Sequence, residues 1–421
     1  MAHIPHVLAR LKRDPICDLP IADRMNQLLD EQQVVWRDRL LTPLVTFRLF
    51  LIQILNGNVA IAALRQLSGI DFAPSSYCES RKKLSLQLLQ SLLQWMNEWV
   101  ETSLGLVNKI GPRILIADGS SHSMSDTPDL RKHFALPPGV TPGVGYPAQK
   151  LMGLLDAATG MFVGLLGLPL FQHDMRAMIQ LHPMLRAGDI LLGDRALCSF
   201  AHFALLQVRG VLACVRLHQR RKNTTSGVDR WHKQKKPPAW MDAAQYAQLP
   251  EWLDVRIVRY SVHQKGYRTT SVIVATTLRD EALWPDEKIA ELYGHRWLIE
   301  TCFKHMKTTM HMNVFRCESA EGVQKELAVY LAAYNLVRLT ILRAAETIHV
   351  SPHRISFVDA MRWLAARLLG LPGVGRLIIN PDRTGRTQLR VIRRRSQHYL
   401  LLKKPRREME AELAEKAAKK C

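Results

Sequence analysis

Cysteine pairs are the first thing missing from this sequence. The seven cysteines, at positions 17, 78, 198, 214, 302, 317 and 421, show no CxxC spacing and no Cys/His cluster. That excludes a zinc module and a disulfide framework, and it fits a reducing cytoplasm. Long hydrophobic runs are missing too. The greasiest early one, VTFRLFLIQIL, is short and broken by Arg48, and the opening MAHIPHVLARLKRD has no apolar core of the signal-peptide kind, so neither a membrane span nor a secretory leader is expected. There is no internal repeat, and no long low-complexity stretch apart from a charged tail. Acidic residues are also scarce: 37 Asp and Glu stand against 58 Lys and Arg, a formal charge of +21. Such an excess favours a polyanionic partner, and nucleic acid is the commonest.

What is present is enough chain for two or three domains, 421 residues in all. Residues 1–105 read as helical: WRDRLLTPLVTFRLFLIQILNG, NVAIAALRQLSG and SSYCESRKKLSLQLLQSLLQWMNEWVE each show helical apolar spacing, with Arg65, Arg81, Lys82 and Lys83 decorating them. A bundle that touches DNA and a bundle that docks on the next domain both fit. From residue 106 to 345 the pattern becomes mixed. RILIADG reads as a buried strand closed by an Asp118-Gly119 turn, KLMGLLDAATGMFVGLLG as a hairpin, and DILLGDR and VLACVRLHQ as strands, with HDMRAMIQLHPMLRAG and SFAHFALLQVRG as helices closed by Gly188 and Gly210. The expected fold is α/β, a mixed sheet with helices on its faces. An insertion at about 219–283 begins with a basic loop, QRRKNTTSGVDRWHKQKKP, and continues with DVRIVRYSV and YRTTSVIVATTL, two strands expected to pair as a small separate sheet. Asp286 is the expected N-cap of the next helix. The region 346–421 reads as helical and strongly basic up to about Arg407, and is suited to dimerisation.

Two acids sit where short apolar strands stop, Asp118 after ILIA and Asp194 after ILLG. Ligands gather at such strand ends in open sheets, because side chains can converge there. A third acid lies in ELYGHRWLIETCFKHMK. Steps of three and four place Tyr293, Arg296, Glu300, Lys304 and Lys307 on one helical stripe, directly beside the apolar stripe of Leu292, Ile299, Phe303, Met306 and Met310. A solvated helix would put its charge opposite, where Gly294, Thr301, His305 and Thr308 stand, so the charged stripe faces something at the margin of the core. Three converging carboxylates suit two divalent ions about 4 Å apart acting on a phosphodiester, with oxygen donors of the kind Mg²⁺ prefers. Arg296, Lys304 and Lys307 beside the glutamate would then hold the flanking phosphates.

Tyr293, Arg296, Glu300 and Lys307, separated by two, three and six residues, resemble the Tyr-Arg-Glu-Lys signature of bacterial DDE transposases of the insertion-sequence-four family. IADGSSHSMSDTP, ILLGDRALCS, CDLP, WRDRLLTP and SYCESRKKL resemble that family as well, and so does the strand-rich insertion between the second Asp and the Glu. The resemblance implies a ribonuclease-H-like catalytic domain with Asp118, Asp194 and Glu300 as catalytic metal ligands for Mg²⁺, or Mn²⁺ in its place. It implies cleavage at the inverted-repeat ends of an insertion sequence, a hairpin intermediate and strand transfer into target DNA by a homodimer, in the bacterial cytoplasm at the nucleoid. Tyr293, Arg296, Trp297, Lys304 and Lys307 would bind DNA, Lys307 at a terminal phosphate. Base flipping normally needs an aromatic platform, and Trp231, Trp240, Trp252, Trp284 and Trp297 are available without spacing singling one out. His122 reads as a satisfied histidine near a turn and is left off the site.

Two readings share these residues: a metal-dependent nuclease of the same fold, and a transposase-derived DNA-binding protein whose site is only scaffold. The latter would have lost an acid or the motif lysine, and all are present. An RNA-binding protein would show an aromatic strand motif or a KH-type glycine loop, and neither occurs.

Overall fold

The computed structural model describes residues 19–37, 39–105, 111–138, 144–221, 225–261, 271–313, 315–371, 376–381 and 404–419. The start of CDLP and the basic stretch 382–403 lie outside them. Five strands make the central sheet: β1 (Ile114–Ser123), β2 (Ala148–Asp156), β3 (Phe162–Pro169), β4 (Ile190–Gly193) and β5 (Leu212–Arg216). Their order is β3-β2-β1-β4-β5. β1, β4 and β5 run parallel, while β2 lies antiparallel to both β1 and β3. This is the ribonuclease-H-like mixed sheet. The short strands are apolar throughout because both faces are covered. Leu115, Ala117 and Leu191 pack with α7 (Asp174–Leu181) and α8 (Phe200–Val208), whereas Ile116, Ile190 and Leu192 face a second core on the opposite side.

The insertion is not a separate sheet. β6 (Gly227–His232), β7 (Trp252–Ser261) and β8 (Ser271–Thr276) continue the central one as β5-β8-β7-β6, so the strands form a single eight-stranded sheet among the described residues. β8 pairs antiparallel with β5 through Cys214↔Thr276, Val215↔Ala275 and Arg216↔Val274. Without it β5 would be an edge strand with unmet backbone donors and acceptors. Alternation in sequence specifies which faces a strand buries and says nothing about which edge it joins, so the pairing partner was not legible. Part of the expected basic loop is also strand: β6 buries Trp231, only 2% exposed, against Phe203 of α8.

The amino-terminal helices α1 (Ile21–Glu31), α2 (Pro43–Leu55), α3 (Ile61–Ser68), α4 (Pro74–Lys83) and α5 (Leu86–Ser103) form the expected bundle. The run read as one helix from Ser75 to Glu101 breaks at Leu84, where Ser85 turns out of the helix and its side chain accepts from Leu88 N to start α5. α2 starts at Thr42, whose side chain accepts from Val45 N with Pro43 in the first turn, and it is buried along its whole length. It packs on α12 (Ala320–Ile348) and on α13 (Phe357–Leu368). α12 is long and apolar enough to cross a membrane, yet most of it lies inside the protein between bundle and sheet. Its polar side chains clamp the β2–β3 hairpin. Asn335 accepts from Phe162 N and donates to Phe162 O, and Arg338 donates to Thr159 O at 2.7 and 3.0 Å. From the bundle, Asn97 of α5 donates to Val163 O and accepts from Asn335. Bundle and sheet therefore share one core. The final helix, α14 (Arg406–Ala418), reaches the rest through Arg406, which donates to Asp126 O.

Candidate active site

Register brings the two aspartates together. Ala117 pairs with Gly193 in the parallel β1–β4 ladder, so Asp118 and Asp194 are the next residues on neighbouring strands. Both fall in step with Ile116 and Leu192, on the face towards the core that holds α12. β4 stops at Gly193, as expected. β1 does not stop at Asp118: it runs on to Ser123, paired with β2 through Asp118↔Gly153 and His122↔Gln149. The polar GSSHS segment resembles a turn in composition, but its hydrogen bonds go to β2, and the aspartate stands within a strand where the parallel ladder gives out.

The third acid arrives on a helix that is not continuous. α10 (Asp286–Gly294) ends in tight i→i−3 bonds, His295 N to Leu292 O and Arg296 N to Tyr293 O, before α11 (Trp297–Lys304) and a π-helical turn at His305–Thr309. Asp286 is the first residue of α10 rather than its cap. Pro285 precedes it, and the carboxylate of Asp286 accepts from the buried Arg256 instead. Tight and wide turns rotate successive side chains by different angles, so the stripe drawn on a regular helix is only approximate. The apolar stripe survives: Leu292, Ile299, Phe303, Met306 and Met310 are all buried. Phe303 seats α11 on the sheet opposite Asp118, and Gly153 makes the room. A Cβ at Gly153 would lie 2.7 Å from Phe162 Cε1 and 2.9 Å from Phe303 Cζ. Gly153→Ala is expected to cost about 1–3 kcal/mol of stability through overpacking. Thermal melting checks this, and an unchanged midpoint would refute it.

Arg296 joins the acids. Its Nη1 donates to Asp118 Oδ2 at 3.1 Å and its Nη2 to Glu300 Oε1 at 2.9 Å. The guanidinium is thus a bridge between strand and helix, with Gly119 N holding the other Asp118 oxygen at 2.8 Å. Burial pushes the Asp118 carboxyl up to about 6; Arg296 and the Gly119 amide oppose the rise, while the charges of Glu300 and Asp194 add to it. Asp118 therefore feels both of the other acids. Their donor chemistry suits a hard divalent ion, but among the described residues no three carboxylate, histidine or cysteine side chains are gathered closely enough to hold one. The guanidinium occupies the bridge between two of them.

The remaining motif residues divide. Lys307, carried by the π-helical turn, donates to Ser120 Oγ at 3.2 Å and Ser121 O at 2.6 Å, which ties it to β1 two to three residues beyond Asp118. Lys304 and Trp297 are exposed, and the Arg296 guanidinium lies 4.4 Å from the Trp297 ring centre. Tyr293, expected at the DNA backbone, is buried, and its hydroxyl donates to Gly193 O at 3.3 Å, the carbonyl just before Asp194. It braces the second acid from within. Apolar neighbours on the stripe concealed this, since a helical wheel does not show how deep a position lies. Of the tryptophans, Trp231 is core, whereas Trp252 is exposed under the Arg230 guanidinium. His122, expected to be a satisfied histidine near a turn, instead lies within β1, buried edge-on against Phe315 with neither ring nitrogen hydrogen-bonded among the described residues, and burial pushes it down to about 3. Ser120, Ser121 and Gly153 were not anticipated; serines in a short polar run and one glycine in a strand carry no signal until their partners are known.

The mixed sheet thus places Asp118 where the parallel ladder ends and Asp194 just past the neighbouring strand, with Glu300 on a helix joined to Asp118 through Arg296. Comparison with known proteins bears directly on this. The family model of the transposase DDE domain matches residues 109–336, more than half of the chain and the whole site. The chain belongs to the DDE-domain transposases. It is similar to the transposase InsG for insertion sequence element IS4 of Escherichia coli (strain K12), with 30% identity over 144 residues, covering 30% of this chain and 32% of that protein. The match thus spans about a third of the relative's length. Among solved structures, it is similar to the piggyBac transposase in a synaptic complex with hairpin DNA, at 10% identity and a TM-score of 0.45, over 87% of this chain and 80% of that one.

Proposed function

We propose that the protein is an active transposase that nicks the ends of an insertion sequence and joins them to target DNA, with Asp118, Asp194 and Glu300 as its catalytic acids. The join of Asp118 to Glu300 through Arg296, with Asp194 at the end of the neighbouring strand, supports this reading. They would hold a divalent cation, Mg²⁺ with Mn²⁺ as a substitute, which would act as a Lewis acid at the scissile phosphate. The chain's own residues do the rest. Gly119 N fixes one oxygen of Asp118, Tyr293 braces the backbone before Asp194, and the Phe303–Gly153 contact sets the height of Glu300 above the sheet. Trp297 and Lys304, both exposed beside Glu300, face incoming DNA, and Lys307 on β1 is placed to take a terminal phosphate. A hairpin route and a homodimer holding paired ends complete the proposal, together with a DNA-binding role for the basic helices of residues 1–105 and for the insertion.

The test is cleavage of a labelled duplex carrying the inverted repeat that flanks this coding sequence, in Mg²⁺ or in EDTA. Nicking at the repeat boundary followed by a hairpin product, only with metal, is the expected result. Binding without cutting in either Mg²⁺ or Mn²⁺ would leave a DNA-binding protein. Lys307→Ala is expected to weaken binding to pre-cleaved ends and to reduce the slope of log affinity against log salt by about one, the signature of one lost phosphate contact. A salt titration with an unchanged slope would remove Lys307 from that role.

A further inference from the structure

We infer that Arg296 is an internal counter-cation of the acidic site, and that metal uptake is coupled to the transfer of its guanidinium from Asp118 and Glu300 to a DNA phosphate. The inference rests on the reading of these acids as metal ligands. Arginine–carboxylate pairs are frequently bidentate, with both nitrogens on one acid. Here each terminal nitrogen serves a different acid, Nη1 at 3.1 Å from Asp118 and Nη2 at 2.9 Å from Glu300, and the residue is only 6% exposed. The guanidinium stands between the oxygens that accept these bonds, so a divalent cation entering there would meet a fixed positive charge.

Release is feasible on one side only. Glu300 and Trp297 beside Arg296 are exposed, so the guanidinium lies one side chain below the surface that DNA would meet. Its planar fork matches a phosphate as well as it matches carboxylates. Asp118 would remain in place without it, because Gly119 N holds the other oxygen. Arg296 is thus a positioning residue that exchanges partners when DNA binds. A site built this way takes up metal efficiently only with the substrate phosphate present.

The experiment measures Mn²⁺ binding to the full chain by the loss of the free-ion paramagnetic signal, with and without a duplex ending at the inverted repeat. Wild type is expected to bind Mn²⁺ weakly alone, and at least about tenfold more tightly with the duplex. Arg296→Gln should bind it at least about tenfold more tightly than wild type without DNA, and gain little from DNA. Arg296→Lys keeps the charge, lacks the fork, and should fall between; it also tests the idea if the glutamine variant does not fold. Equal Mn²⁺ affinity in wild type and both Arg296 variants, with binding still abolished by Glu300→Gln, would overturn the inference and leave the acidic site standing. Binding that Glu300→Gln does not diminish would overturn the acidic-site reading itself.

Discussion

Replacing Asp118, Asp194 or Glu300 with alanine should abolish strand cleavage, by at least about a thousandfold, while DNA binding persists. Losing a ligand of the cation removes several kcal/mol of transition-state stabilisation, and each 1.36 kcal/mol is about tenfold in rate. Binding is expected to survive because the phosphate-facing cations are on other residues. The three variants are not equal as probes. Asp118 is a partner of a guanidinium that is only 7% exposed in its side chain, so its removal leaves buried charge short of a partner and destabilises the site as well as disarming it. Glu300 has a side chain 46% exposed, and its loss disturbs packing least. A gel assay of the labelled inverted-repeat duplex, run beside a mobility-shift assay, is the measurement. Near wild-type cutting by Glu300→Ala, or equal loss of binding and cutting, would undo the catalytic assignment.

A large loss of stability is expected as the pH falls from 7 to 5, arising from buried histidines, of which a stacked pair contributes most clearly. His182 and His202 are both 0% exposed and stack with their Nε2 atoms 3.2 Å apart, between α7 and α8. Burial pushes His182 down to about 3, with the His202 and Arg209 charges adding to it, and pushes His202 down to about 4. Both folded values lie below the unfolded value, so the unfolded chain binds more protons. Stability is then complete above about pH 6.5 and drains away as the pH falls towards the folded values. At pH 5 each imidazole costs about 2 kcal/mol, and the pair at most about 4 kcal/mol because it titrates as a unit. Thermal melting between pH 5 and 7 should show the loss, and His182→Leu should recover about 2 kcal/mol of it; His122, pushed down to about 3, and His305, pushed down to about 4, add to the loss in the same sense. A melting temperature that holds steady from pH 7 to pH 5 in wild type would contradict it. Asp118 acts in the opposite sense, since a carboxyl pushed up to about 6 makes folding less costly once protonated, so the observed loss is the difference.

Much of the architecture was legible because the chain writes it locally. ILIA, ILLG and LACV are too short and too apolar to be anything but buried strands, and the spacing of Leu292, Ile299, Phe303, Met306 and Met310 marked the buried face of the helix that brings in the glutamate. Where readings failed, the deciding interaction was distant. The Asp118-Gly119 step reads as a turn from its residue types, while the partner that makes it strand, β2, begins about 30 residues on at Ala148. The insertion was assigned its own sheet because nothing in Val272–Thr276 names β5 as its neighbour. Tyr293 was placed at the DNA because spacing gives direction around a helix but not depth.

Side-chain types, their order and their local periods suffice to single out the three acids and the basic residues among them, since those groups stand at strand ends and on a helical stripe that local patterns already mark. Which oxygens face inward, which cation lies between them and which aromatic is core were settled in three dimensions. Hydrogen bonds such as Arg296 to Asp118, 178 residues apart along the chain, depend on register and packing distances that no local pattern encodes.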